Sequence, residues 1–287
     1  MSEFLLLPRA EELRSDLNES LKWNSYINEL QDLIQEILKD SEISRLEVVD
    51  LQVNDPLPDR FVGLRNGSSL PVSDALDLIV GMAAGDGPYC VLVGGAVFRL
   101  VAAWDGAVQV HVGPAAEPLI SRFRGREVVV ECRRHAPGPE DEFPAVRTSV
   151  DAGFWVEVRD SPGDLTMVRE RWAYGAYGCR WYVVTSENLV EVAEKMEPRS
   201  LLSVFVDPII LELSPEVIDE GVTLFRPPLL PGRVDYMAYP DGFEDLSEVL
   251  AHGFTLSMKD SIAPHRSAVM PDPDGEIRMK WQAPAHG

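Results

Sequence analysis

The sequence predicts an α+β protein with mainly antiparallel sheets and flanking helices, arranged as two αβ halves. Three observations lead to this prediction. Strand-like and helix-like segments alternate irregularly, without the βαβ period of a parallel doubly wound sheet. Apolar residues make up 45% of the 287 residues, which is enough to bury a substantial core. A proline- and acid-rich segment interrupts the chain near its middle.

The N-terminal part, residues 9–40, is predicted to be helical, in two pieces. In the second piece, NSYINELQDLIQEILKD, apolar residues recur at the i, i+3, i+4, i+7 spacing of an amphipathic helix, and Asn24 or Ser25 is available as N-cap. The stripe is too short for three heptads. Packing on the protein's own core is therefore favoured over a coiled coil or a helix that binds a partner.

Residues 40–135 are predicted to form an antiparallel unit. VSDALDLIVGMAA has the pattern of a helix ending at Gly85, and residues 89–113 have the pattern of a β-meander. The pair Asp105-Gly106 marks the tight turn of the meander, because both central residues of a type I′ turn have positive φ. The other predicted elements are strands at RLEVVDLQV, FVGLR and REVVVEC and a short helix at PAAEPLISRF.

The segment RRHAPGPEDEFPAV is the predicted boundary between the halves. It contains three prolines, a glycine and three consecutive acids, with no period. We therefore predict a first domain at residues 1–135 and a second at 150–287, with 136–149 as a linker.

The second half is predicted to be another mixture of helices and strands. A hairpin turn is expected at Asp274-Gly275 near its end. The strand-like segments are GFWVEVRD, CRWYVVT and the two pieces of SLLSVFVDPIILEL on either side of Asp207-Pro208. The helix-like segments are SENLVEVAEKME, with Ser186 as cap, SPEVIDEG and DGFEDLSEVLAHG, which ends at Gly253.

The stretch ERWAYGAYGCRWYVV, residues 170–184, is the most unusual in the chain. AYGAYG presents Tyr174 and Tyr177 between two glycine bends, and strand alternation puts Cys179 and Trp181 on one face. The favoured interpretation is structural: the aromatic rings pack a sheet edge and the glycines form a turn. If the stretch binds a ligand, its rings and arginines suit a protein interface as well as a small-molecule pocket.

The charge balance is strongly acidic, with 47 acidic against 26 basic residues and a net charge of −21. This sign argues against nucleic acid and anionic membranes as direct partners and favours a basic protein. Residues 186–250 hold 14 acids against 4 basic residues, whereas residues 121–135 carry five arginines. Ordinary solvation with internal ion pairing is the favoured interpretation, and an acidic docking face is the alternative.

No sequence motif names a chemistry. Phosphate-binding, dinucleotide-binding, nucleophile-elbow and HExxH patterns are missing, and Cys90, Cys132 and Cys179 form no CxxC pair. Cys132 and His135, three residues apart, would point to opposite faces of a strand. DPDGE lacks two oxygen ligands of a calcium loop. We therefore predict neither a cofactor nor a metal.

The apolar segments indicate the compartment. The N-terminal run of four apolar residues before a proline is shorter than a secretory signal, and no window has the roughly 20 apolar residues of a membrane span. We therefore expect a cytoplasmic protein. Arginine supplies 21 of the 26 basic residues, which indicates a GC-rich bacterial source.

These observations favour a non-enzymatic protein-binding module of the immunity or inhibitor type that neutralises a basic effector or toxin. One alternative is a small hydrolase or transferase with a site near the 170–182 loop, using Arg171, Arg180, Tyr177 or His135. Another is a scaffold that self-associates through the N-terminal helix. No catalytic residue or oligomeric state is predicted. The predicted contact residues are Tyr174, Tyr177, Glu216, Asp219, Glu220, Asp241, Glu244 and Asp245.

Overall fold

The structure is a computed structural model that describes residues 2–9, 21–133, 145–213, 220–243 and 245–282. Its helices and antiparallel strands confirm the predicted α+β class. The chain divides into two compact units, Met1–Val53 with Leu57–Glu140 and Asn54–Pro56 with Asp141–Gly287. The arrangement as two halves and the linker at 136–149 stay predictions, because residues 134–144 lie outside the described residues.

A seven-stranded antiparallel sheet forms the first unit, in the order β3-β2-β4-β5-β6-β1-β7. Its strands are β1 (Ser2–Pro8), β2 (Arg45–Gln52), β3 (Ser69–Pro71), β4 (Tyr89–Gly94), β5 (Phe98–Ala102), β6 (Val108–Val112) and β7 (Val128–Arg133). The short N-terminal apolar run forms β1, an interior strand between β6 and β7. Phe4 and Leu6 of this strand are fully buried. Sequence analysis missed this strand.

The helices of the first unit are α1 (Leu21–Asp40), α2 (Val72–Ala84) and α3 (Glu117–Arg122). Helix α1 begins before both predicted caps, and its apolar stripe, including Leu30 and Ile34, is buried in the protein's own core. Its packing confirms the favoured interpretation. The predicted first helical piece falls largely on residues 10–20, outside the described residues.

The predicted turns of the first unit are confirmed, but one predicted strand is wrong. Helix α2 ends at Gly85 in the left-handed conformation, and the meander turns with φ of 58° at Asp105 and 75° at Gly106. The exception is FVGLR, which was predicted as a strand. It forms turns instead, beginning with a short 3₁₀ helix at Asp59–Phe61.

Two antiparallel sheets form the second unit. The five-stranded sheet has the order β13-β9-β8-β10-β16, and the four-stranded sheet has the order β11-β15-β12-β14. The strands are β8 (Thr166–Arg171), β9 (Cys179–Val184), β10 (Leu201–Val206), β11 (Leu211–Glu212), β12 (Val222–Phe225), β13 (Gly232–Val234), β14 (Tyr236–Tyr239), β15 (Leu256–Lys259) and β16 (Arg266–Val269). The helices are α4 (Ala152–Arg159), α5 (Leu189–Glu194) and α6 (Leu246–Ala251).

Both faces of the five-stranded sheet are buried. On one face, Trp181 of β9 packs with Phe205 and with Phe225 of the four-stranded sheet. On the other face, Tyr182 of β9 packs in the core that α4 and α5 cover, together with Phe154. The predicted alternation along β9 is therefore confirmed, but neither of its faces is left to solvent.

Three predictions about the second half are corrected. GFWVEVRD was predicted as a strand but forms α4. Helix α5 has Asn188, not Ser186, at its N-cap position. The turn at Asp274-Gly275 is present, with a Gly275 N–H donating to the Asp272 carbonyl at 2.8 Å, but no strand ladder follows it. Most of SPEVIDEG lies outside the described residues.

Candidate functional site

The stretch 170–184 is a β-hairpin made by β8 and β9. The sequence analysis placed it between strands at 153–158 and 179–184, but its first strand is β8 and residues 153–158 are helical. The N–H groups of Trp172 and Ala173 donate to the Gly178 carbonyl at 2.9 and 3.1 Å, which closes the turn. Gly175 has a φ of 89°, where residues with a side chain are strained.

Gly178 is required for a different reason. A Cβ atom at this position would lie 2.3 Å from the carbonyl oxygen of Ala173 and 2.8 Å from that of Tyr174. Both contacts are with backbone, which cannot move away as a flexible side chain can. The two glycines of AYGAYG therefore allow the sharp turn between β8 and β9, as the structural interpretation expected.

Tyr236 of β14 ties this turn to the four-stranded sheet. Its single hydroxyl proton is shared between the carbonyl oxygens of Cys179 and Ala176, at 2.8 and 3.0 Å, and the Cys179 thiol lies 3.4 Å from the same hydroxyl. Burial raises the pKa of Tyr236 and the pKa of Cys179 above their ordinary values. Burial therefore favours the protonated, neutral form of both groups.

An open cavity of about 910 Å³ lies beside the turn, and we call it the hairpin groove. One wall contains Trp172, Ala176 and Tyr177 of the hairpin, and the other follows residues 233–241 along β13 and β14. Tyr177 is 48% exposed, so its ring is available to a ligand in the groove. A surface that combines aromatic rings with polar groups is typical of protein recognition sites.

An ion pair forms part of the groove. The Arg226 guanidinium donates to Asp235 at 3.0 Å and to the His252 carbonyl at 3.1 Å, and it lies over the Phe254 ring at 4.8 Å. Arg226 and Phe254 both line the groove. Sequence analysis missed Tyr236, Arg226 and Phe254, because they come from three segments that no local pattern connects.

The predicted acidic contact residues are brought together only in part. Glu220 and Asp241 lie at the same end of the four-stranded sheet, because Val222 pairs with Tyr239 in the ladder. The residues that follow this pair are also close, since a Cβ on Gly221 would lie 2.8 Å from the Pro240 carbonyl oxygen. Glu220 pairs with Lys259, whereas Asp241 lines the hairpin groove. Exposed Asp245 accepts the Ser247 N–H ahead of α6. Glu216, Asp219 and Glu244 lie outside the described residues.

The two predicted tyrosines have different surroundings. Tyr177 lines the hairpin groove, whereas the ring of Tyr174 packs on Trp281 with their centroids 5.1 Å apart. Trp281 is fully buried and its indole N–H donates to the Arg199 carbonyl at 2.8 Å. Tyr174 therefore helps to hold the C-terminal segment against the sheet.

The residues named for the enzyme alternative have different positions. Tyr177 lines the groove, and Arg171 pairs with the groove residue Cys179 in the β8–β9 ladder. Arg180 lies 3.4 Å from the buried Glu170 carboxylate and stacks over the Trp172 ring at 4.8 Å. Glu170 itself accepts the Glu197 N–H and the Ser200 hydroxyl, both at 3.0 Å. This network is on the face of the hairpin opposite Cys179, because β-strand side chains alternate. His135 lies outside the described residues.

Within the ranges that the structure describes, no three His, Cys, Asp or Glu side chains are grouped so that they could hold a metal ion. None of the described helices has the length and apolar character needed to cross a membrane.

Comparisons with protein-family models, curated proteins and solved structures find no match for this chain.

Proposed function

We propose that this chain is a non-enzymatic binding protein of the inhibitor or immunity type, which takes an extended basic segment of a partner protein into the hairpin groove. One observation carries the proposal. Tyr177 and Asp241, which sequence analysis selected as contact residues from separate segments, line this same groove. An aromatic anchor beside an exposed carboxylate suits a segment that has a lysine or arginine next to an apolar residue.

The edge of β14 supports an extended conformation for the bound segment. Strand β14 is the last strand of its sheet and pairs with β12 alone. The Arg226 N–H donates to the Asp235 carbonyl at 3.2 Å, so alternation directs the backbone groups of Met237 and Tyr239 to β12. The backbone groups of Tyr236 and Ala238 then face the open edge. A partner strand can pair with them by strand addition.

Charge supports a basic partner. The net charge of −21 attracts basic proteins over long distances and speeds their association. At short range Arg226 compensates Asp235, whereas Asp241 is exposed. Exposed Arg233 lies at the other end of the groove wall. We therefore expect the bound segment to place its basic residue at Asp241.

The raised pKa values in the groove wall disfavour an enzyme. Catalytic nucleophiles and bases usually have pKa values shifted toward neutral pH. The pKa values of Cys179 and Tyr236 are instead raised by burial, away from neutrality. The hydroxyl of Tyr236 is also committed to two backbone carbonyls. These groups hold the groove in shape rather than react.

Affinity capture from a lysate of the organism that makes the protein tests the proposal. The baits are the wild type, Tyr177→Ala, Asp241→Lys and the control Asp164→Lys, which reverses an exposed charge outside the groove lining. We expect one basic protein to be retained by the wild type and the control, released by salt, and lost from both groove variants. Equal retention by all four baits would refute the groove as the binding site. No retained protein would refute the binding function.

A further inference from the structure

Strand β7 forms an uninterrupted edge of the seven-stranded sheet. Within the described part of the chain it pairs only with β1, through six consecutive residue pairs from Glu3 with Arg133 to Pro8 with Val128. The register does not shift, and the strand VVVECR contains neither proline nor glycine. Natural proteins usually protect such edges, because a regular edge invites another strand.

The outward-facing backbone groups of β7 follow from its pairing. The Arg9 N–H donates to the Glu127 carbonyl at 2.8 Å, and hydrogen-bonded pairs alternate along an antiparallel ladder. Val129 and Glu131 therefore bond to β1. The N–H and C=O groups of Val128, Val130 and Cys132 point away from the sheet, where an added strand would meet them.

A groove of about 680 Å³ runs beside this edge. Val128, Val130 and Cys132 line it on the strand, and Phe123 and Arg124 line it from the segment that follows α3. An added strand would place alternate side chains into this groove. The site would therefore contact both the backbone and the side chains of the bound segment.

Two arginines make the groove cationic. Arg9 donates to the carbonyl oxygens of Arg126 and Gly125 at 2.6 and 3.0 Å, and Arg124 donates to those of Ser121 and Phe123 at 3.0 and 2.7 Å. Carbonyl oxygens orient these guanidinium groups, while the Glu29 carboxylate in the same region accepts the N–H groups of Arg126 and Glu127. No described carboxylate forms an ion pair with either one. Planar guanidinium groups held in this way are suited to binding carboxylates.

We propose that the β7 edge is a second docking surface, which binds an extended acidic segment of a partner protein as an added strand, with its carboxylates at Arg9 and Arg124. The charge of the groove favours an acidic partner segment, because the groove carries two arginines although the whole chain has a net charge of −21. A second copy of the chain is disfavoured, since pairing two β7 edges would bring two arginine clusters together. This proposal is independent of the hairpin groove.

The first test measures fluorescence anisotropy of the fluorescein-labelled peptide EVEVEVE on the full-length protein. We expect saturable binding that Arg124→Glu weakens by at least about tenfold, because a short charge pair becomes a repulsion. Arg99→Glu is the control, since it reverses an exposed charge on β5 in the interior of the same sheet. Its affinity should stay within about twofold of the wild type. Equal affinity of Arg124→Glu and the wild type would overturn the proposal.

The second test asks whether the peptide binds as a strand. A version of EVEVEVE with every backbone amide methylated keeps every charge but has no backbone N–H to donate, so neither of its edges can form the ladder. We expect it not to compete, and KVKVKVK should not compete either. Val130→Pro should also abolish binding, because it removes an N–H that faces away from β1. Competition by the methylated peptide would overturn strand addition, and that result does not depend on the folding of any variant.

Sedimentation of the wild type and Val130→Pro tests the other occupant. We expect both to sediment as the same species. A wild-type dimer that becomes a monomer in Val130→Pro would show that a second copy covers the β7 edge, and would overturn the acidic segment as its occupant.

Discussion

At the scale of single residues, the hairpin turn at 172–178 shows how backbone requirements select amino acids. Gly175 is needed for its positive φ and Gly178 for the close approach of the Ala173 carbonyl. If only one of the two glycines had a structural reason, the repeat AYGAYG would still suggest a binding motif. Together they explain both glycines without a ligand, and they leave Tyr177 as the member of the repeat that faces the groove.

Gly178→Ala is expected to destabilise the protein by more than about 2 kcal/mol, because the new Cβ would overlap backbone that the hairpin holds in place. Urea unfolding at pH 7 measures the change. The matched control is Gly81→Ala in α2, where a Cβ would meet no atom within 4 Å. The control should gain roughly 0.5–1 kcal/mol from helix propensity. Equal stability of Gly178→Ala and the wild type would show that the turn adapts.

Two carboxylates near the C-terminus predict a pH dependence of stability. Arg199 and Arg278 hold the pKa of Asp272 below its usual range, against the opposing effect of burial. Arg278 lowers the pKa of Asp274 to about 2. Because both pKa values are lower in the folded state, their contribution is fully present above the unfolded value of about 4 and is lost as pH falls.

Asp272→Asn is therefore expected to be less stable than the wild type above about pH 5, with the difference shrinking as pH falls below about 4 and the wild-type carboxyl becomes protonated. Urea unfolding at several pH values measures this convergence. Asp164→Asn, which removes an exposed carboxylate that forms no ion pair with a described residue, is the control. A difference for Asp272→Asn that is constant with pH would mean that its packing, not its charge, stabilises the segment.

At the scale of elements, α4 shows why a period-2 pattern can mislead. In GFWVEVRD the apolar residues Phe154, Val156 and Val158 alternate with others, which is typical of a strand. In the helix, Phe154 and Val158 are one turn apart and buried, whereas Val156 is 44% exposed. The deciding local signal was Asp151, whose side chain accepts the Phe154 N–H at 2.8 Å as an N-cap.

Asp151→Ala is expected to cost about 1 kcal/mol of unfolding free energy, because it leaves an N–H of the first turn without its acceptor. Asp164→Ala is the control, since Asp164 is also an exposed aspartate but lies at the N-cap of none of the described helices. Chemical unfolding compares the two variants. If both have wild-type stability, solvent replaces the cap at no cost.

Strand β1 was missed because its sequence has no periodic pattern, whereas the pattern of α4 was misleading. Its apolar run is short and ends at Pro8, so it resembles neither an alternating strand nor a helix. It becomes a strand because β6 and β7 pair with it from both sides and bury Phe4 and Leu6. Those partners are more than a hundred residues away along the chain, and no local pattern contains them.

At the scale of the whole molecule, the net charge of −21 opposes folding through self-repulsion. Added salt screens this repulsion. We therefore expect the Tm at pH 7 to rise by roughly 2–5 °C between low salt and about 0.5 M NaCl, equivalent to about 1 kcal/mol. Differential scanning fluorimetry measures the rise.

The same salt series near the pI of about 4.6 provides the control. Net charge is small there, so the rise in Tm should be much smaller. Equal salt dependence at both pH values would show that the acids are already balanced by internal ion pairs. That result would also weaken long-range attraction as a basis for binding a basic partner.

The sequence by itself determined the α+β class, the meander with its Asp105-Gly106 turn, the end of α2 at Gly85 and the acidic character. Each of these depends on neighbours in the chain or on composition, so local periodicity and backbone preference are sufficient. Only the tertiary structure decided the place of β1, the two buried faces of β9 and the hairpin groove. Their residues meet through long-range strand pairing, and a single sequence carries no local signal of which distant strands pair.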